Sequence, residues 1–539
     1  MIIPRIKSEQ KGNESYLLPY NITFSVDTEF SDSLFLLMGC FFPKCGLVFS
    51  NNKANIVAVC QKQCNSEEYE LHIDSKGILI KYEDYIGLRN ALATVSMMAV
   101  ANEDGFLLEF TDVKDYPVAK HRGVLLDLGR GVKPYQTLCD DIVLIAKAKM
   151  NYLHLHLSDS LGVSVKLDCL PVDCCLENYY SKEQMRELVK LTEALGLEII
   201  PEFDMPGHST ALVRCSADID CIVEGVENTH WTTCAGSEET YKFYEKIINE
   251  LCELFPSKYF HIGGDELEFA DVPKLNAICH WEKCPKCRKK CEEEKLKDRQ
   301  ELYYYFINRI YNIVKKTGRQ MIMWSDQIDC MRPAALPKDI LMQFWRVAAP
   351  GRGPFEGCSL NAQLKMGYQL INSHFPETYF DEEEYMSEET IRDWRWDKRP
   401  EIDEEYKNNI VGSETCAWEY GNHASYPHYD RTLAPSVLIM ADKLWNGDDI
   451  SFNECYEEAL TKAVLGIGAT KDINIFKCLG SVIPPRSSEY AYYNKIKCDV
   501  IEIEKTAEQL NTILFLDKGS KNRIAIYKNA LQKIAEKLK

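Results

Sequence analysis

From His121 to about Trp445 the chain alternates short apolar strand patterns with amphipathic helical ones, and few folds accept that alternation. Strand patterns fall at Gly123–Leu128, Tyr152–Leu157, Glu198–Phe203, Tyr259–Ile262, Met321–Trp324, Ile340–Phe344, Gln369–Asn372 and Ile410–Gly412. Helical spacing lies between many of them, at Thr137–Lys149, Lys182–Leu195, Glu239–Leu254 and Arg299–Lys316. Eight strand–helix units over roughly 330 residues are the pattern of a (β/α)8 barrel. A doubly wound sheet is the competing arrangement. It often carries a glycine-rich phosphate loop after its first strand, and Asp127-Leu-Gly-Arg-Gly131 is not one.

The flanks differ in texture. Before Pro117 the chain reads as a small α+β domain. Tyr69–Asp74 alternates apolar and polar residues, Ser75-Lys-Gly77 is a turn, Ile78–Tyr82 returns as a second strand, and a helix follows from about Tyr85 to Val100. After Trp445 the pattern is helical, at Asn453–Val464, Asp499–Leu514 and Arg523–Leu538, with Pro484-Pro485 as a linker. The expected organisation is therefore an N-terminal α+β domain (1–117), a catalytic barrel (118–450) and a C-terminal helical region (451–539) that packs on the barrel or forms a homodimer contact.

Charge narrows the partners. A net charge of −19 over 539 residues argues against nucleic acid and against an anionic membrane surface, and suits a neutral substrate such as a sugar. The apolar run Leu34–Pro43 is too short to span a bilayer, and the N-terminal residues lack an apolar core of signal-peptide length. The expectation is a cytoplasmic protein whose 22 cysteines are mostly reduced and buried.

In a barrel the C-terminal ends of the strands build the site. Polar and aromatic residues crowd those positions here. Strand one is flanked by Arg122 and leads to Asp127 and Arg130. Strand two ends in His154, His156 and Asp159, and strand three in Glu202, Asp204 and His208. Strand four ends in His261-Ile-Gly-Gly-Asp265-Glu266. Trp324 and Asp326 end strand five, and Trp345 and Arg346 end strand six. Strand seven leads to Tyr379 and Asp381, and strand eight to Glu414, Trp418 and Glu419. Any one of these alone reads as a helix cap, a surface ion pair or a core residue. Together they describe a sugar site: aromatic faces stack on pyranose rings while carboxylates and arginine hold hydroxyls. Asp265-Glu266 is the sharpest feature. Two adjacent carboxyls repel, which raises one pKa and keeps a general acid protonated near neutral pH.

These residues also form a set. Arg122–Asp127, Asn151–His156 with Asp159, Pro201–His208 and His261–Glu266, followed by Tyr379-Phe-Asp381 and Trp418, resemble the motifs of the family-20 glycoside hydrolases, the β-N-acetylhexosaminidases. The resemblance runs from about Tyr69 to Trp445 and includes the α+β segment before the barrel. It implies a retaining exo-enzyme that removes terminal β-linked GlcNAc or GalNAc, with the substrate's acetamido group as nucleophile. On that likeness Glu266 is the general acid and base, and Asp265 orients the acetamide and steadies the oxazolinium. Tyr379 bonds the acetamido carbonyl. Trp324, Trp345 and Trp418 wall the pocket. Arg122, Asp381 and Glu419 hold ring hydroxyls. Asp159, Asp204 and His208, with His156 and His261, support Glu266. The chain departs from the family pattern in two places. Gly162-Val163 stands where glycine and a bulky aromatic are usual, and Glu419 follows Trp418 directly instead of two positions later. Both bear on sugar and linkage preference.

No cofactor is required by this chemistry. Cys279, Cys284, Cys287 and Cys291 nonetheless stand close together in sequence, and four thiolates suit a structural zinc; a reduced cysteine-rich loop is the plain alternative. Three other functions share the fold: a glycosidase for a non-acetylated hexoside, a carbohydrate-binding barrel without turnover, and a metal-dependent hydrolase using His154, His156, His208 and His261.

Overall fold

The computed structural model describes the chain apart from residues 27–29, 51–52, 62–64, 227–230, 268–277, 333–334, 348–356, 381–385, 422–428, 467–472, 484–495, 497 and 514–516. Asp381 and the Pro484-Pro485 linker therefore lie outside the described residues.

The eight barrel strands are His121–Asp127, Tyr152–His156, Glu198–Met205, Tyr259–Gly263, Gln320–Trp324, Leu341–Phe344, Gln369–Asn372 and Ile410–Ala417, called strands one to eight below. All pair in parallel with their sequence neighbours, and strand eight closes the ring on both strand one and strand seven. Seven match their sequence expectation to within about two residues, the usual scatter of strand ends. The eighth runs on to Ala417, because Ser413-Glu-Thr-Cys416 is polar in sequence yet buried against strand one.

Alternate residues of a strand share a face, so the barrel interior can be read in layers. Ile200, Ile322, Leu341 and Ile371 form an apolar floor beside Tyr152 and Tyr259. Two residues further along strands two, three and four come His154, Glu202 and His261, each fully buried. A barrel interior is normally filled by branched apolar side chains; here the middle layer is ionisable and leads towards the polar rim.

The N-terminal sheet runs in the order Ser8–Pro19, Gly105–Asp115, Tyr69–Asp74, Gly77–Tyr82, Ile56–Cys60, Asn21–Ser25, Gly46–Phe49. Its expected hairpin is present, with Asp74 opposite Gly77, and the helix after it, Tyr85–Met98, starts on an Asp84 cap. The domain meets the barrel at the N-terminal pole. Arg89 donates to the carbonyls of Ala146 (2.5 Å) and Met150 (2.7 Å), and Lys149 pairs with Asp115 at 2.8 Å. At the other end of the chain, Glu454–Leu465, Val500–Gln509 and Ser520–Leu538 are helices that bury Ile503, Tyr527, Leu531 and Ile534. Asp517 ties this region to the barrel helix Tyr135–Lys147 by an ion pair with Lys147 at 3.0 Å. The helices thus pack on the barrel within one chain. Among the described residues no helix is long and apolar enough to cross a membrane.

Candidate active site

The site is built around the turn after strand four. Gly263 and Gly264 hold left-handed backbone, φ +68° and +93°. A Cβ on Gly263 would stand 1.8 Å from Asp204 Oδ1, so only glycine lets Asp204 of strand three reach beneath the turn. Asp265 and Glu266 then emerge at the rim, 9% and 8% exposed. Glu266 itself has φ +41°, as His208 has +51° and Glu419 +57°. Each such residue costs of order 1 kcal/mol or more and persists where the surroundings fix it, commonly at a functional site.

Glu266 is held on several sides. Arg346 donates to its Oε1 at 2.6 Å, its backbone N–H donates to Asp326 Oδ2 at 3.2 Å, and its carbonyl accepts from Trp231 Nε1 at 2.8 Å. Its Oε2 lies 3.5 Å from His208 Nε2, which is 3.6 Å from Asp265 Oδ2. His208 Nδ1 in turn faces Asp159 Oδ2 at 3.2 Å.

From there an alternating chain of imidazoles and carboxylates descends through the barrel. Asp159 meets His156 Nε2 (3.0 Å), His156 Nδ1 meets Glu202 (2.5 Å), Glu202 meets His154 Nε2 (3.2 Å), and His154 Nδ1 meets Glu414 (2.8 Å). Glu414 ends at His121 Nε2, 2.6 Å away. Buried charges are tolerable only when paired, and this chain pairs them by alternation. Burial opposes the charge on Asp159, yet Arg130 and His208 hold its carboxyl well below the usual range. Burial likewise opposes the His208 imidazolium, yet Asp159, Asp204 and Asp265 raise it well above an ordinary histidine. His154 rises to about 9 against its burial, through Glu414 and Glu202.

The nucleus of the site behaves differently. Burial first, and Asp204 second, push Asp265 well above the carboxylate range, with Glu266 only a minor contributor. Burial also lifts Asp204 to about 7. Repulsion between the adjacent carboxyls, the cause expected from sequence, is the lesser one; desolvation and a partner on strand three dominate.

An aromatic wall completes the rim. Trp345 and Tyr379 stack at 5.9 Å and 16°, Tyr379 lies 6.0 Å from Trp418, and Trp418 lies 5.8 Å from Trp324. Trp324 is fixed from behind by its indole N–H, which donates to Glu202 Oε1 at 2.8 Å. Asp204 Oδ1 and Oδ2, Asp265 Oδ1 and the indole nitrogens of Trp345 and Trp418 are buried without a hydrogen-bond partner among the described residues. Buried polar atoms are rarely left so, and here they converge on one rim.

Two expectations are corrected. Arg122 does not reach the site. It stands at the start of strand one, on the opposite pole, where it donates to the carbonyls of Ala119 (2.8 Å) and Lys149 (3.1 Å) and pairs with Glu67. The arginine of the rim is Arg130, beyond the end of the same strand. It pairs with Asp127 and Asp159, each at 2.9 Å, and lies over the Trp418 ring at 5.3 Å. The cysteine group is also recomposed. Cys221, Cys234, Cys284 and Cys287 come together, all fully buried, whereas Cys279 and Cys291 are not members of the group. Cys221 and Cys234 arrive from the segment after strand three, which the local spacing of 279–291 does not reveal.

The other expected residues fall where the strand ends put them. Asp159, His156 and His208 form the supporting chain and Asp204 underlies Asp265, while His261 lies deeper, 3.1 Å from Glu202. Glu419 accepts its position from strand one: its N–H donates to Asp127 Oδ2 at 2.8 Å. Arg346, Asp326 and Trp231, which hold Glu266, carry no role in the sequence expectation. The first two do sit at strand ends, which was the available signal; Trp231 lies in a loop and had none.

A sequence profile for glycosyl hydrolase family 20, catalytic domain, matches residues 120–448. A β-hexosaminidase of Porphyromonas gingivalis is 28% identical over 290 residues, covering 49% of this chain and 36% of that protein. One of Vibrio furnissii is 26% identical over 408 residues, covering 68% and 63%. The chain thus spans less than two thirds of the length of these two relatives. In fold it is similar to the crystal structure of a β-N-acetylhexosaminidase from Bacteroides fragilis, with TM-score 0.73 at 24% identity over 86% of this chain and 94% of that one. A GH20 exo-β-N-acetylglucosaminidase from Vibrio harveyi in complex with N-acetylglucosamine gives 0.72 at 20% identity, over 86% and 76%. The profile spans more than half of the chain and contains every barrel strand together with Asp265 and Glu266: the chain belongs to glycosyl hydrolase family 20.

Proposed function

We propose that this protein is a retaining exo-β-N-acetylhexosaminidase that removes terminal β-linked GlcNAc or GalNAc. The observation that carries this reading is the Asp265–Glu266 pair at the end of strand four, joined through Arg346, which bonds Glu266 and lies over the Trp345 ring, to a wall of Trp324, Trp345, Tyr379 and Trp418.

Glu266 donates the proton to the departing glycosidic oxygen. Its Oε1 is anchored by Arg346 and its backbone by Asp326 and Trp231, so the carboxyl is aimed before substrate arrives. The acetamido carbonyl oxygen attacks the anomeric carbon from the opposite face and closes a five-membered oxazolinium ring. Asp265 receives the acetamido N–H and faces the positive charge that develops there, which favours its carboxylate form against the burial that otherwise protonates it. Glu266 then takes a proton from water as the water opens the ring, and two inversions leave the configuration retained. Tyr379 bonds the acetamido carbonyl oxygen, and the tryptophans exclude water from the acetamide. Arg130 and Asp159 set Trp418 and His208 from behind. No cofactor enters any step; a metal held by the four cysteines would have a structural part only.

The test is hydrolysis of 4-nitrophenyl β-GlcNAc, β-GalNAc and β-glucoside by wild type and Glu266→Gln. Release from the acetamido sugars alone, lost in the variant, is expected. Equal release from the glucoside would transfer the protein to non-acetylated hexosides. Sugar binding without release from any of them would make it a binding protein.

A further inference from the structure

We infer that Cys221, Cys234, Cys284 and Cys287 form a tetrahedral zinc site that clasps the loops after strands three and four and thereby holds Trp231 against the catalytic pair. The sulfurs of Cys234 and Cys287 are 3.6 Å apart, of Cys234 and Cys284 3.7 Å, and of Cys221 and Cys287 3.9 Å. All four lie within 4.8 Å of one another. Thiolates about 2.3 Å from zinc stand about 3.8 Å apart at the corners of a tetrahedron. A disulfide would bring two of them to about 2.05 Å, and all four are unbridged. An iron–sulfur cubane binds each cysteine to a different iron and spreads the sulfurs wider than this group.

The surroundings favour thiolates. Cys284 caps the helix Pro285–Glu294 and Cys287 lies in its first turn, where the helix end is positive. Lys286, Arg288, Lys289 and Lys290 add positive charge on the same helix. The two loops meet backbone to backbone: a Cβ on Gly236 would stand 2.3 Å from the Lys286 carbonyl carbon. Trp281 Nε1 donates across the seam to the Thr233 carbonyl at 2.8 Å.

The clasp reaches the site through a short stretch of chain. Thr233, next to Cys234, donates its N–H to the Pro206 carbonyl, and the Trp231 carbonyl accepts from Ser209 N. Trp231 then bonds the Glu266 carbonyl at 2.8 Å and packs its ring 4.4 Å from His208. Zinc thus fixes the wall behind Glu266 and His208 without touching substrate.

The metal site stands or falls apart from the proposed activity; only its effect on turnover rests on that reading. Protein from zinc-supplemented medium, purified without chelator, is measured for metal, melting temperature and steady-state kinetics. About one zinc per chain is expected, released on titration with a mercurial and read by a zinc-binding dye. Cys287→Ser should lose the zinc and melt lower, while Cys139→Ser, a buried cysteine elsewhere, keeps it. Stripping the wild type should lower kcat about tenfold or more, since small misplacements of catalytic groups are costly, with a much smaller change in KM. Four free thiols on a metal-free, fully active protein would overturn the proposal, as would disulfides between these cysteines by mass spectrometry. If Cys287→Ser does not fold, mercurial release from the wild type decides alone.

Discussion

Arg122 and Arg130 flank the same barrel strand, one at its start and one beyond its end, and the fold uses them in opposite ways. Arg122 is sealed among the carbonyls of Ala119 and Lys149 and the Glu67 carboxylate, beneath the N-terminal domain. Arg130 pairs with Asp127 and Asp159 and lies over Trp418. Around Arg122 the barrel meets the N-terminal domain, beside a cavity of about 470 Å³ lined by Glu67, Lys120, Asn151, Tyr152 and Lys258. At the pole of Arg130 stand Asp204 Oδ1 and Oδ2, Asp265 Oδ1 and the indole nitrogens of Trp345 and Trp418, which have no hydrogen-bond partner among the described residues. That cavity lies at the pole away from the catalytic pair. One pole uses charge to join domains, and the other holds charge in reserve for a ligand.

This contrast separates chemistry from stability, and substitutions at the two poles should split along it. Glu266→Gln, at the reactive pole, should lower kcat by about 10²- to 10⁴-fold, the range for a lost general acid, with an unchanged melting temperature. A stability loss of similar size to the activity loss would erase the distinction. Arg122→Met should do the reverse. It leaves Glu67 uncompensated, which costs about 3 kcal/mol in denaturant unfolding, while kcat of the folded fraction stays at the wild-type value. Arg130→Met should sit between, with both effects: the buried Asp127 and Asp159 each lose an ionic partner, so the loss in unfolding stability should be about that of Arg122→Met, and kcat/KM should fall about 10- to 100-fold.

The smallest effect is one of pH. The folded-state pKa of His154, about 9, lies above its ordinary 6.5. Its stabilising contribution is therefore complete below about pH 6.5 and is lost as pH rises through 9. Glu202 and Glu414 are held below 4.5 in the fold, so their contribution is present above that pH and is lost as pH falls. The melting temperature should thus decline from about pH 6.5 to 9, and His154→Gln should flatten that limb. An unchanged slope in the variant would remove His154 from the account of the barrel's ionic core.

The barrel was legible because buried parallel strands write themselves as apolar runs, and helices separate them with regular spacing. The site was legible to the extent that strand ends carry it, which located Asp265, Glu266, Trp324 and Trp345. Arg122 was misplaced although strand direction alone argues for Arg130, since the C-terminal ends build the site; likeness to a motif outweighed direction. The middle layer of histidines was visible in Tyr152-Leu-His-Leu-His156, but not the alternation with Glu202 and Glu414, which needs the strands in register. The cysteine group was half legible. Cys284 and Cys287 form a CxxC, whereas Cys221 and Cys234 are brought to them only by the packing of two loops. Trp231 reaches Glu266 through the same packing and left no mark in the sequence.

The claim on which the mechanism turns is that the substrate's own acetamide attacks the anomeric carbon beside Asp265. The direct measurement is kcat/KM for 4-nitrophenyl β-glucosaminides bearing N-acetyl, N-fluoroacetyl, N-difluoroacetyl and N-trifluoroacetyl groups. Each fluorine withdraws electrons from the carbonyl oxygen that must act as nucleophile. A steep, monotonic fall along the series is the expected result. A flat series, with the protein folded and the parent sugar cleaved, would mean that an enzyme carboxylate or an activated water attacks instead, and would contradict the role given to Asp265.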